Sequence, residues 1–243
     1  MDSKERVLML IQPDSNSSEG EQNLKKPAKL KDEAFVDLER MIVNGILEPG
    51  QWVSESDLIR VSGHTRASVR SAVQRLSDEG LVSIVPRRGA QICPVDFTQQ
   101  FRSLELRRAV ETLIARAAAK RANEEQKLEF AEISEGFKSA AKAGSQKEMT
   151  ELDSKCFALM LSAADNTFAA RALTSVKGLS RRFWVLNQEK YGNLELMAKG
   201  HSDIAKAISE GNPELAETAV GNLIDYVEKF TLEVVGFSTP DGE

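Results

Sequence analysis

Cysteine and histidine are scarce in this 243-residue chain, at two each, and its formal charge is −5. Cys93 and Cys156 stand too far apart in sequence to suggest a disulfide framework or a thiolate metal cluster, so a reducing cytoplasm is the expected compartment. Besides having few imidazoles, the chain lacks a glycine-rich phosphate loop, and no serine or cysteine has a recognisable base nearby. The usual equipment of catalysis is missing, and an enzyme is not expected. The short apolar run at residues 7–11 is too brief, and too closely flanked by acids, for a signal peptide or a membrane span. An acidic chain is also a poor coat for nucleic acid, so any DNA contact must come from a local basic patch.

What is present is ordinary globular material, 41% apolar and 28% charged. Its length suggests two cores. Residues 1–28 include a polar stretch rich in serine, proline and glycine without apolar period, which reads as a disordered arm, and residues 237–243 read as a flexible tail. Periodicity starts at Leu30, where Ala34, Phe35, Leu38, Met41 and Ile42 share one side of a helix ending near Asn44. Ser54 is placed to cap a short second helix, and Thr65 a third that carries Val69, Ala72, Val73 and Leu76 at helical spacing. Two β-branched runs flanking Pro86-Arg87-Arg88-Gly89 then signal a hairpin. Residues 29–94 thus predict a winged helix-turn-helix, whose third helix normally enters the major groove.

The charges agree with that docking. Arg60, Arg66, Arg70 and Arg75 fall in a stretch without an acidic residue, and Arg66 and Arg70 share one helical face opposite Val69, Val73 and Leu76. An arginine fork pairs with the N7 and O6 edge of guanine, Thr65 or Ser68 can donate to phosphates or base edges, and Arg87 and Arg88 can reach a minor groove or flanking phosphate. His64, just before the third helix, reads as a surface or turn residue.

Beyond Asp96, turn residues nearly vanish and alanine, leucine and glutamate dominate, as a helical bundle requires. Six helices are expected, near 98–122, 124–143, 146–164, 168–190, 194–210 and 213–235. The fold class is therefore mainly α, with an antiparallel all-α bundle over 97–236 behind the winged unit.

The run GILEPGQWVSESDLIRVSGHTRASVRSAVQRLSDEGLVSIVPRRGAQI, residues 45–92, resembles the signature of the GntR family of bacterial transcription regulators. The resemblance implies that Arg66 and Arg70 contact bases or phosphates, that Thr65 and Ser68 support them, and that Gly89 lets the wing tip approach the groove. Ser56 stands where some relatives carry an arginine, which puts one contact in doubt. The segments RRAVE (107–111), LDSKCFALMLSAADN (152–166) and GHSDIAKAISEGNPELAETAVGNLI (200–224) resemble the FCD-type ligand domain of the FadR branch; six helices match its smaller, VanR-like group. That resemblance implies a bundle that binds a small organic acid, often beside a metal held by an aspartate and three histidines. Asp153 and His201 match two of those positions, while Phe157 and Leu223 occupy the other two and cannot donate a lone pair to a cation. No metal or other cofactor is therefore expected.

His201 falls on an apolar, inward face with Leu194, Met197, Ile204 and Ile208, and Asp153 is its expected partner. Arg107 has two readings, an internal ion pair with Glu111 or a clamp for a carboxylate effector. Arg107, Asp153, Phe157, His201 and Asn222 form the expected effector site, with Arg181, Arg182, Phe183, Trp184 and Tyr226 as further candidates. The expected partners are a double-stranded operator, a small-molecule effector with a carboxylate as one candidate, and a second copy of the chain; repression relieved by a metabolite is the preferred sign. An alternative keeps the DNA unit and makes the helical half only a dimerisation or docking surface.

Overall fold

The computed structural model describes residues 27–236, so the expected tail and all but the end of the expected N-terminal arm lie outside the described residues. The chain divides into two compact units, Met1–Pro94 and Val95–Glu243. In the first, α1 (Pro27–Val43), β1 (Trp52–Val53), α2 (Glu55–Ser62), α3 (Arg66–Asp78), β2 (Val82–Val85) and β3 (Gly89–Ile92) follow in order. Ala34, Leu38 and Ile42 of α1 and Val69, Ala72 and Leu76 of α3 are at most 1% exposed, and the two helices pack on each other. Phe35 joins this core, whereas Met41 is only partly covered.

Local chemistry sets the ends of α2 and α3. Ser54 accepts from the Asp57 backbone and Asp57 returns a bond to the Ser54 backbone, closing a capping box. Thr65 accepts from the Ser68 backbone at the start of α3. The wing is more than the expected hairpin: the strands run antiparallel in the order β1-β3-β2, with Trp52 opposite Gln91 and Val53 opposite Ala90. A two-residue strand is too short to carry a legible alternation. At the hairpin tip the Arg88 N–H donates to the Val85 carbonyl at 3.0 Å, with Pro86 second and Arg87, at φ +65°, third. Glycine usually fills that third position, so the tip holds a guanidinium at some backbone cost.

The second unit is a bundle of α4 (Phe97–Arg121), α5 (Glu124–Lys142), α6 (Gln146–Ala164), α7 (Thr167–Tyr191), α8 (Leu194–Ser209) and α9 (Pro213–Val235). Each begins at an asparagine, aspartate or serine whose side chain accepts from the first turn: Asp96, Asn123, Ser145, Asn166, Asn193 and Asn212. At about 1 kcal/mol each, such caps explain why the starts lie within a residue of their expected places. Phe130, Ile133 and Phe137 of α5 lie in one core with Ile204 and Ile208 of α8, and with Val220, Ile224 and Phe230 of α9. Where α8 meets α9, a Cβ on Gly200 would lie 2.7 Å from Leu223 Cδ1, so any larger residue there would make the Leu223 side chain shift. Among the described residues no helix is long and apolar enough to cross a membrane.

Gly89 adopts φ +100°, and a Cβ there would sit 2.8 Å from the Val53 carbonyl oxygen. Gly89→Ala is expected to destabilise the wing by roughly 1–3 kcal/mol and to speed amide exchange across β1, β2 and β3. Unchanged exchange would contradict this assignment.

Candidate functional site

Burial of one side of α3 turns its other side outward. Arg66 and Arg70 keep 70% and 67% of their side-chain surface exposed, and Thr65 is exposed beside them. Both guanidiniums reach back to one carboxylate: Arg66 Nε lies 3.1 Å from Glu55 Oε1, and Arg70 Nε bonds the other oxygen. Glu55 begins α2, so it links the two helices through the groups expected to read DNA.

Magnitudes decide what this link does. Burying Val69 and Leu76 contributes roughly 1.5–3 kcal/mol each, against at most about 1 kcal/mol for an exposed ion pair. Packing therefore aims the helix, and the ion pairs can be exchanged for phosphates or base edges at little cost.

Several basic-patch expectations change. Ser68 is only 5% exposed, and its Oγ accepts from Thr65 Oγ1 at 3.0 Å, so it supports the helix start and has no surface to offer a duplex. Arg75 turns to α1, where it stacks 3.8 Å from the Phe35 ring centroid and pairs with Asp32 at 2.7 Å. Arg60 pairs with Asp57 one turn away. Arg87, Arg88 and Gly89 are exposed at the tip as expected, with Arg88 5.9 Å from the Trp52 ring. His64 is more than a turn residue: its Nε2 lies 2.8 Å from Asp37 Oδ2, joining the turn before α3 to α1.

In the second unit a cavity is lined from five helices, by Arg107 of α4, Asp153 of α6, Lys177 and Arg181 of α7, His201 of α8 and Leu223 of α9, among others. It has a volume of about 80 Å³ and opens to solvent on one side. Arg107, Asp153 and His201 were expected here, and so, among the further candidates, were Arg181 and Trp184. Asn222 is instead exposed, because its neighbour Leu223 takes the inward position. Phe157 lies behind the lining, its ring centroid 3.3 Å from Lys177 Nζ. Arg182 and Phe183 are core residues, and the Tyr226 hydroxyl is engaged by the Asn193 backbone.

The expected pairing of Asp153 with His201 is present only as a long contact, and a shorter one forms beside it. Arg181 donates from Nη2 at 2.6 Å and Nε at 3.1 Å to Asp153 Oδ2, while His201 Nδ1 stands 4.0 Å from Oδ1 and its ring stacks on Phe137. Burial alone would raise the Asp153 pKa, but the Lys177 and Arg181 cations hold it well below the usual carboxylate range. Burial pushes His201 down, against the pull of Asp153 and Glu111. Arg107 makes its internal pair, Nε to Glu111 Oε2 at 3.0 Å, yet still lines the cavity and donates to Ser180 Oγ at 2.8 Å.

Sequence reasoning missed Lys177. Its Nζ is enclosed without a hydrogen-bond partner, 3.6 Å from Asp153 Oδ2. Burial pushes its pKa down from 10.5 to about 7, although Asp153 pulls the other way. Among the described residues no three His, Cys, Asp or Glu side chains converge as a metal site would need.

The pH dependence of stability follows from Lys177. Between about 7 and its ordinary 10.5 the unfolded state carries the proton that the folded state has released, so stability climbs with pH across that window. Thermal melts from neutral to mildly alkaline pH should show this rise in the wild type and a smaller one in Lys177→Met. Equal slopes would contradict the burial of this ammonium.

Comparison with known proteins bears on both units. Residues 30–92 match the bacterial regulatory proteins of the gntR family, and residues 102–226 match the FCD domain. The HTH-type transcriptional repressor RspR of Escherichia coli is 24% identical over 197 residues, covering 81% of this chain and 86% of that protein. The HTH-type regulator YdhC of Bacillus subtilis is 24% identical over 198 residues, 81% of this chain and 88% of its own length. Among solved structures, McbR/YncC of E. coli superposes with a TM-score of 0.71 at 15% identity, covering 85% of this chain and 98% of that one. A transcriptional regulator from Rhodococcus gives 0.61 at 19%, covering 87% and 100%. The two likenesses show a shared fold. With the FCD match spanning half of the chain and the gntR match accounting for the exposed arginines of α3, the protein belongs to the GntR family of DNA-binding transcription regulators, with an FCD domain as its second unit.

Proposed function

We propose that this regulator is a cytoplasmic homodimeric repressor that reads a two-fold operator through Arg66 and Arg70 and releases it when a small organic acid binds among the helices of the second unit. The observation that carries the reading is the pair of exposed guanidiniums on a helix whose other side is buried through Val69, Ala72 and Leu76. Thr65 supports the same edge, and Arg87 and Arg88 supply flanking contacts from the wing. One such module makes few base contacts, which favours paired half-sites and a dimer. The effector acts by differential affinity for DNA-competent and incompetent arrangements, since equal affinity for both would shift nothing. The name of RspR supports the repressor sign. Six helices in the second unit support the VanR-like group of the FadR branch.

Phe157 and Leu223, at positions where the family places metal-binding histidines, favour a second reading in which the helical unit only dimerises or docks a partner. A specific small molecule would raise the melting temperature under the first reading and leave it unmoved under the second.

Arg66→Ala or Arg70→Ala should weaken operator binding by about 1–3 kcal/mol for each arginine–base pairing removed, with the fold intact by circular dichroism. Unchanged affinity in a gel shift would count against the reading. Glu55→Gln should raise affinity for scrambled DNA and steepen its salt dependence, because two cations no longer have an internal partner to leave. A weaker, flatter response would assign Glu55 to base contact instead.

A further inference from the structure

Resting on the reading of the second unit as an effector site, we infer that its ligand is a monocarboxylate with a compact apolar body, anchored by the Lys177 ammonium without a metal ion. A buried ammonium has three donors to satisfy, and Lys177 Nζ satisfies none of them within the protein. Its nearest carboxylate oxygen, Asp153 Oδ2 at 3.6 Å, already accepts both Arg181 nitrogens. The Phe157 ring covers another side at 3.3 Å. Lys177 lines the cavity while its Nζ is closed off from solvent, so a turn of its side chain toward the cavity would give it the acceptor it lacks, an oxygen brought in by the ligand.

Charge sets the class of that ligand. With Lys177 protonated, Arg107, Lys177 and Arg181 face the two carboxylates Glu111 and Asp153, leaving one positive charge, since burial favours neutral His201. One carboxylate balances it, whereas a dianion such as a phosphate monoester would overshoot. Apart from Gln146, Thr150 and Ser180 the rest of the wall is apolar and suits an apolar body, with Met149, Trp184, Val185, Met197 and Val227 joining Leu223.

The same residues do not fit a divalent cation. An ion at Asp153 would sit beside the cationic heads of Arg181 and Lys177, with Phe157 and Leu223 in place of nitrogen donors. Lys177 supplies from the chain the positive charge that a metal would bring.

The test is thermal shift on chelator-treated, full-length protein at slightly acid pH, with butyrate and benzoate against succinate, citrate, inorganic phosphate, glucose and zinc. Butyrate or benzoate should raise the melting temperature with or without chelator, and Lys177→Met should lose that shift while melting no lower than wild type without ligand. Lys177→Arg should keep part of it. If Lys177→Met does not fold, the wild-type ranking of probes decides. A larger shift from citrate, succinate, phosphate, glucose or zinc, a carboxylate shift that needs zinc, or a full shift in Lys177→Met overturns this inference and leaves an effector site standing. Silence from every probe overturns both the inference and the effector reading, and leaves DNA recognition untouched.

Discussion

The first unit depends on the division of labour between the two faces of α3. Val69, Ala72 and Leu76 are fully buried against α1, and that packing fixes the rotation of the helix about its axis. Every exposed group on it inherits its direction from there. Because the stronger interaction acts on the hidden side, Arg66 and Arg70 need only a weak, replaceable partner on the open side, and Glu55 is that partner. The supporting contacts serve the same end: Thr65 and Ser68 hold the helix start, Arg75 clasps Phe35 and Asp32 on α1, and His64 bonds Asp37.

The second unit solves the opposite problem, since its charges lie inside. Asp153 is stabilised as an anion by Arg181 from a neighbouring helix, and Glu111 accepts from Arg107 one turn away. Lys177 breaks the pattern, because its ammonium faces a carboxylate too distant for a hydrogen bond. Removing an ammonium from water without acceptors costs free energy, and such a cost is most readily retained where a bound ligand offsets it.

Much of this was legible in the sequence because caps and periodicity are local. Asn123, Asn193 and Asn212 fix helix starts within their own first turns, so no knowledge of packing was needed. What escaped depends on rotation or on distant partners. Asn222 and Leu223 differ by one residue, about 100° of helical turn, and it is Leu223 that packs inward, beside Gly200 of another helix. Ser68 was expected outside, but its hydroxyl serves the Thr65 cap. Arg75 counted as part of a basic stripe until α1 offered it an aromatic face and an acid. Lys177 carries no motif; the signal was indirect, since Asp153 without histidine partners requires cations from another helix, and α7 provides two.

Guanine methylation interference on the promoter fragment of this regulator's own gene tests the central claim most directly. A methyl group on N7 occupies the edge that an arginine fork would use, so the account predicts loss of binding at a small set of guanines arranged in two symmetric clusters. Binding that tolerates methylation at every guanine would contradict it.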